Sequence, residues 1–196
     1  MAVIPRILHR TLPQHPRHDV PKIWDTVVKH TEGWDRRTHQ SPRDPADWPL
    51  TGHLFDLCPD RSMESNLVRL EALWTVGGVY VDSDVSLVRP LEPLLDSGFF
   101  VGRECSEWFG TAVIGAVPGH PATRAALDAM MAHVEAGGER STAPRVLTPV
   151  LKGRDDVRVL PVDAFYKLPF SRRGEWPDYS GNPNVYALHH WHGSWM

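Results

Sequence analysis

The sequence predicts an α/β fold, with a sheet flanked by helices in a single domain spanning residues 1–196. Three observations predict it. Short β-branched segments alternate with longer stretches whose apolar residues recur at helical spacing. Glycine pairs, Gly77-Gly78 and Gly137-Gly138, stand where two of those stretches must stop. A length of 196 residues fits one domain rather than two.

Each element follows in order. Residues 3–8 are short, apolar and β-branched, and predict an opening strand that ends at His9, with Pro5 suited to a first or edge position. Residues 21–31 predict a helix: Pro21 fits the first turn, and Ile23, Trp24, Val27 and Val28 make one apolar face. The proline-rich, acidic stretch 40–50 predicts a surface loop. Ser62 is placed to cap a stronger helix carrying Leu67, Leu70, Leu73 and Trp74, which ends at Gly77-Gly78. Residues 79–82 then predict a strand, followed by a strand pair at 99–102 and 111–116. Residues 121–135 predict a helix, and further short strands fall at 157–160 and 185–189.

Composition excludes several classes. Twenty-one Lys and Arg against 24 Asp and Glu give a net charge of −3, so no nucleic-acid-binding surface is expected. No run approaches the ~20 apolar residues needed to span a bilayer. Pro5 and Arg6 interrupt the start where a secretory signal needs an apolar run, so the cytoplasm is the expected compartment. Two cysteines, Cys58 and Cys105, are expected as free thiols. Eight tryptophans and eleven histidines are left to explain, three of the histidines within the last eight residues.

The chemistry concentrates at Asp82-Ser83-Asp84, directly after the predicted strand at 79–82. Residues two apart on a strand share a face, so Tyr80, Asp82 and Asp84 converge if the strand continues. Paired carboxylates repel unless a cation or a proton relieves them. Oxygen ligands of this kind suit Mg²⁺ or Mn²⁺. Open α/β sheets bind ligands outside the carboxyl ends of their strands, where this pair would sit. Gly77-Gly78 permits the sharp turn before the strand, and Arg69 on the preceding helix offers a fork of donors.

The block from Ser65 to Val85 resembles the signature of sugar transferases containing the DXD motif, a family that includes Och1-like mannosyltransferases, bacterial capsular transferases and glucosylating-toxin catalytic domains. The opening Ile4-Pro5-Arg6-Ile7-Leu8-His9, the segment Thr142–148 and the closing His189-His190-Trp191-His192-Gly193-Ser194-Trp195 resemble further family segments in the right order. The resemblance implies the GT-A nucleotide-sugar-binding fold, in a pared-down form, and a metal-dependent transferase that retains anomeric configuration. It implies Asp82, Asp84 and Arg69 as catalytic residues, with Asp82, Asp84 and His190 binding Mn²⁺ or Mg²⁺; His189 and His192 remain alternatives to His190. It implies that His9, Ser65, Asn66, Arg69, Gly78, Tyr80, Asp82, Ser194 and Trp195 bind a nucleotide-sugar donor. The acceptor would be a glycan or another hydroxyl compound.

Two positions depart from the family: Asn66 stands where it usually has Asp, and Leu12 where a tryptophan approaches the base. Both favour a rival reading, a nucleotide-sugar-binding module without activity. A nucleotidyltransferase is a further rival, but the Gly-rich basic loop it needs after the first strand is missing from His9-Arg10-Thr11-Leu12-Pro13. Glu104 and Glu107 are the carboxylates expected nearest the acceptor, with Trp108 and Trp176 as possible sugar platforms; Trp24, Trp34, Trp48 and Trp74 are expected to pack.

Overall fold

A computed structural model describes residues 3–138, 143–173 and 175–192. Its centre is a six-stranded mixed sheet built from β1 (Ile7–Leu12), β2 (Asp35–Gln40), β3 (Gly78–Val81), β5 (Phe99–Arg103), β6 (Phe109–Ala116) and β7 (Arg158–Leu160), in the order β2-β1-β3-β6-β5-β7. β1 runs parallel to β2 and β3, while β6 runs antiparallel to β3 and β5. β4 (Val85–Leu87) and β8 (Ala187–His189) form a separate antiparallel pair beside it. The helices are α1 (Val20–His30), α2 (Arg61–Val76), α3 (Pro121–Glu135), α4 (Ala143–Leu151) and the single turn α5 (Asp163–Tyr166).

All four residues of β3 are buried, as a central strand with both faces covered requires. Its alternation divides the core. Tyr80 joins Leu67, Leu70 and Leu73 of α2 with Leu127 and Met130 of α3 on one face. Val79 and Val81 join Leu8, Val27, Phe100 and Phe165 on the other. The predicted α/β class, the helix at 121–135 and the strands at 79–82 and 99–102 are present in this arrangement.

Several expectations need correction. The first strand starts at Ile7 and runs on to Leu12, beyond His9, because β2 and β3 give it partners on both sides. Asp60, not Ser62, caps α2: its carboxylate accepts from the Met63 amide at 2.9 Å. β2 was not anticipated, since its sequence Asp-Arg-Arg-Thr-His-Gln carries no apolar side chain and its backbone pairing with β1 alone makes it a strand. α4 was hidden by Pro144 and Pro149, yet it buries Ala143, Leu147 and Leu151 against its neighbours. Both cysteines are free, and burial pushes the Cys58 thiol up to about 12.

The turn from α2 into β3 depends on glycine. Gly77 and Gly78 have φ of 69° and 110°, and a Cβ on Gly78 would lie 2.4 Å from the Ile7 carbonyl oxygen. Gly78→Ala is therefore expected to lower stability by at least about 1–3 kcal/mol, the usual range for a residue held in such backbone geometry. A urea unfolding midpoint equal to that of the unaltered chain would contradict this.

Candidate functional site

The site grows from the end of β3. Tyr80 and Asp82 share a face there, as strand alternation demands. The Tyr80 hydroxyl donates to Asp82 Oδ1 at 2.7 Å, so at its 2.7 Å contact with Thr11 Oγ1 the tyrosine oxygen accepts. Arg69, buried on α2, donates to the same Asp82 oxygen at 3.0 Å and to the Thr111 carbonyl of β6. Asp82 Oδ1 is thus held by two donors, while Oδ2 has no partner among the described residues. Burial opposes Arg69's charge most strongly, but Asp82 together with Tyr80, Tyr166 and Asp84 outweighs it and raises the guanidinium above its ordinary range.

Asp84 is positioned by the β4–β8 pair. The His190 amide donates to its backbone carbonyl at 2.9 Å, and the His192 amide donates to Asp84 Oδ2 at 2.9 Å. His189 Nε2 lies 3.3 Å from the same carboxylate oxygen. Burial resists charge on both groups; their mutual attraction overcomes it, holding Asp84 below and His189 above their ordinary ranges. Ligating atoms of Asp82, Asp84 and His189 all lie within 4.8 Å of one another.

His189, not the expected His190, stands with the aspartates. Successive residues of a strand point to opposite faces, and His190 instead meets Ser86 Oγ through Nε2 at 2.8 Å and packs under Trp176 with ring centroids 4.3 Å apart. His192 is turned toward Asp19, with Nε2 3.1 Å from its carboxylate. Ser194 and Trp195 lie outside the described residues.

Two cavities meet at this cluster, sharing Ser62, Arg69 and Asp82 as a common wall. The first, about 280 Å³, is lined by Thr11, Ser41, Arg61, Ser65, Ser83 and Asp84 among others. The second, about 230 Å³, is bounded by Asn66, Glu104, Thr111, Tyr166, Phe170 and Trp191 among others. Thr11, Thr111 and Tyr166 had no signal in the sequence, since they come together only through the sheet order; Trp191 stood in the closing segment that resembles the family, without a role assigned to it.

Other expected site residues lie elsewhere. Gly78 lines neither cavity and serves the turn. His9 faces a third cavity of about 450 Å³, beside His39, Arg43 and Trp48. Its Nε2–H donates to the Gly77 carbonyl at 3.0 Å, which leaves Nδ1 to accept from His39 Nε2 at 3.1 Å. Glu107 is exposed and lines neither of the two cavities, nor do Trp108 and Trp176. Glu104 does, and burial raises its carboxyl above the usual range, with His189 acting against that.

Comparison with known proteins follows this geometry. Solved structures that share the fold include PaToxG glycosyltransferase (TM-score 0.63, 15% identity, 76% of this chain and 69% of that one). They also include the galactosyltransferase LgtC in complex with donor and acceptor sugar analogs (TM-score 0.57, 13% identity, 94% and 86%). The chain therefore has the GT-A fold of glycosyltransferases. Residues 12–100 are similar to the family described as glycosyltransferase sugar-binding region containing DXD motif. Among curated proteins it is similar to inositol phosphoceramide mannosyltransferase 3 of Schizosaccharomyces pombe, at 30% identity over 61% of this chain and 35% of that protein. Human alpha-1,4-N-acetylglucosaminyltransferase is 26% identical over 46% of this chain and 25% of its own. The matches thus span about a third and a quarter of those relatives. No helix among the described residues is long and apolar enough to cross a membrane.

Two predictions come from this geometry. Arg69→Leu strands the Thr111 carbonyl and deprives Asp82 of a cation; because Asp82 is partly exposed, the loss should fall at the low end of the about 3–5 kcal/mol for a broken buried pair. An unchanged denaturation midpoint would refute it. Burial chiefly lowers His9 and His39 from 6.5 to about 4, so folding must keep both neutral. Their contribution is complete above pH 6.5 and is lost as the pH falls toward 4. Urea titrations at pH 7 and pH 5 should show that loss, and His39→Gln should shrink it.

Proposed function

We propose that the chain transfers a sugar from a nucleotide-sugar donor to a hydroxyl acceptor, with a bound Mn²⁺ or Mg²⁺ and retention of anomeric configuration. The observation that supports this best is the meeting of two carboxylates and one imidazole, Asp82, Asp84 and His189, at the wall between two cavities.

The donor set suits such an ion. Asp82 Oδ2 and Asp84 Oδ1 accept no hydrogen bond among the described residues, and His189 turns Nε2 toward the Asp84 carboxylate. Carboxylate oxygens with a single imidazole favour Mn²⁺ or Mg²⁺ over softer metals. When bound, the ion supplies positive charge against the diphosphate and the charge that develops as it leaves.

The remaining work falls to the chain's own groups. Arg69 holds Asp82 in place and brings a fixed cation to the wall that both cavities share. Tyr80, itself held by Thr11, donates to the same carboxylate oxygen, so little reorganisation is needed during reaction. Ser65, whose hydroxyl donates to the Arg61 carbonyl at 2.8 Å, lines the first cavity, and we assign it to the nucleotide side with Arg61. Because the departing phosphate oxygen accepts the acceptor's proton as the new glycosidic bond forms, no protein base is required at the acceptor. Catalysis then rests on positioning and electrostatics.

The test is Mn²⁺ binding together with hydrolysis of GDP-mannose and UDP-sugars. His189→Ala and Asp84→Asn should each weaken Mn²⁺ binding and lower donor hydrolysis by more than roughly 100-fold. His190→Ala should leave Mn²⁺ affinity near that of the unaltered chain. Full Mn²⁺-dependent turnover in Asp84→Asn, or nucleotide-sugar binding with no turnover in the unaltered chain, would defeat the reading.

A further inference from the structure

The cavity of about 230 Å³ on the far side of Asp82 contains polar groups that the fold leaves unused. Asn66 is 4% exposed, lines this cavity, and its amide has no hydrogen-bond partner among the described residues. That amide opens onto the cavity, where it can both donate to and accept from a ligand. Glu104, half-buried just past β5, reaches the same space from a different element. Its backbone is fixed by an amide bond to the Trp108 carbonyl at 2.9 Å, while its carboxylate has no hydrogen bond among the described residues. Arg69 Nε, on the shared wall, is also buried and unpartnered.

The rest of the lining is aromatic. Tyr166, Phe170 and Trp191 close one side, with ring centroids 5.9 Å apart both for Tyr166 and Trp191 and for Phe170 and Trp191. Trp191 sits at φ 57°, its indole N–H donating to the Leu168 carbonyl at 2.7 Å. A position so rarely adopted by a bulky residue persists only where its surroundings fix it. The cavity therefore offers an anionic acceptor, an amide that can both donate and accept, and an apolar face. The charges on the lining, Asp82 and Glu104 against Arg69 and His189, offset one another, which suits a neutral ligand better than an anion. A neutral ring bearing several hydroxyls meets every group.

With the donor's sugar placed in this cavity by the reading above, we propose that Glu104 determines which sugar is accepted, by receiving a hydrogen bond from one of its hydroxyls beside the Asn66 amide. The inference rests on the donor reading above and adds a specificity-determining residue to it. Glu104 completes a binding pattern that the amide at position 66 cannot make alone, because only the carboxylate gives a charge-assisted acceptor.

Calorimetry with Mn²⁺ tests it, using UDP and GDP as sugar-free probes and UDP-glucose, UDP-galactose, UDP-N-acetylglucosamine and GDP-mannose as sugar-bearing ones. In the unaltered chain at least one sugar nucleotide should bind more tightly than its own diphosphate. Glu104→Ala should reduce affinity for that donor about 10–100-fold while changing diphosphate affinity less than about twofold. Glu104→Gln, which preserves shape and an acceptor oxygen, should recover part of the loss. Unchanged donor affinity in Glu104→Ala overturns the inference and leaves the donor reading standing. Equal losses for donor and diphosphate in both variants overturn it too, because they mark a structural role. Binding of a diphosphate with no gain from any sugar overturns the sugar assignment, and failure of the unaltered chain to bind either diphosphate overturns both readings.

Discussion

Everything at the site depends on how Asp82 is held. It emerges at the end of a strand buried at every position, and one of its oxygens is gripped by the Arg69 guanidinium and the Tyr80 hydroxyl together. Arg69 is tied in turn to the β6 backbone, and Tyr80 to Thr11 of β1. Four elements therefore set the position of a single carboxylate. A buried cation beside a partly exposed anion is costly to assemble, and such a pair is weak evidence for stability alone. Its value is positional: the partly exposed carboxylate has one oxygen committed and one still free.

The second half of the site comes from far along the chain. Asp84 waits at the start of β4, and the β8 strand delivers His189 to it by pairing Val85 with His189. The same pairing sends His190 to the opposite side, onto Ser86 and Trp176. The tail is further fastened by His192 to Asp19 and to the Asp84 carboxylate. A cation bound among these groups would relieve the repulsion of two carboxylates whose ligating oxygens come within 4.8 Å of each other. That coupling joins the C-terminal strand to the middle of the sheet.

The sequence made the middle of this architecture legible and its margins much less so. The buried strand at residues 78–81, its preceding helix and its glycine stop all carry strong local signals, and the shared face of Tyr80 and Asp82 follows from alternation alone. β2 was unreadable because its side chains are all polar and its pairing is backbone only. α4 was masked by two prolines whose cost is met by buried packing. The choice among His189, His190 and His192 turned on the register of a two-stranded pair, which no local pattern encodes. Glu104 was readable as a nearby carboxylate, but its company with Asn66 exists only once α2 and the β5–β6 turn are brought together.

The most direct test of the metal-assisted donor site is a crystal structure grown with Mn²⁺ and a nucleoside diphosphate. The account predicts an ion bonded to Asp82, Asp84 and His189, with the diphosphate in the cavity lined by Thr11, Arg61 and Ser65. An ion held by His190 or His192 without the aspartates, or a diphosphate seated instead in the cavity beside His39 and Trp48, would contradict it.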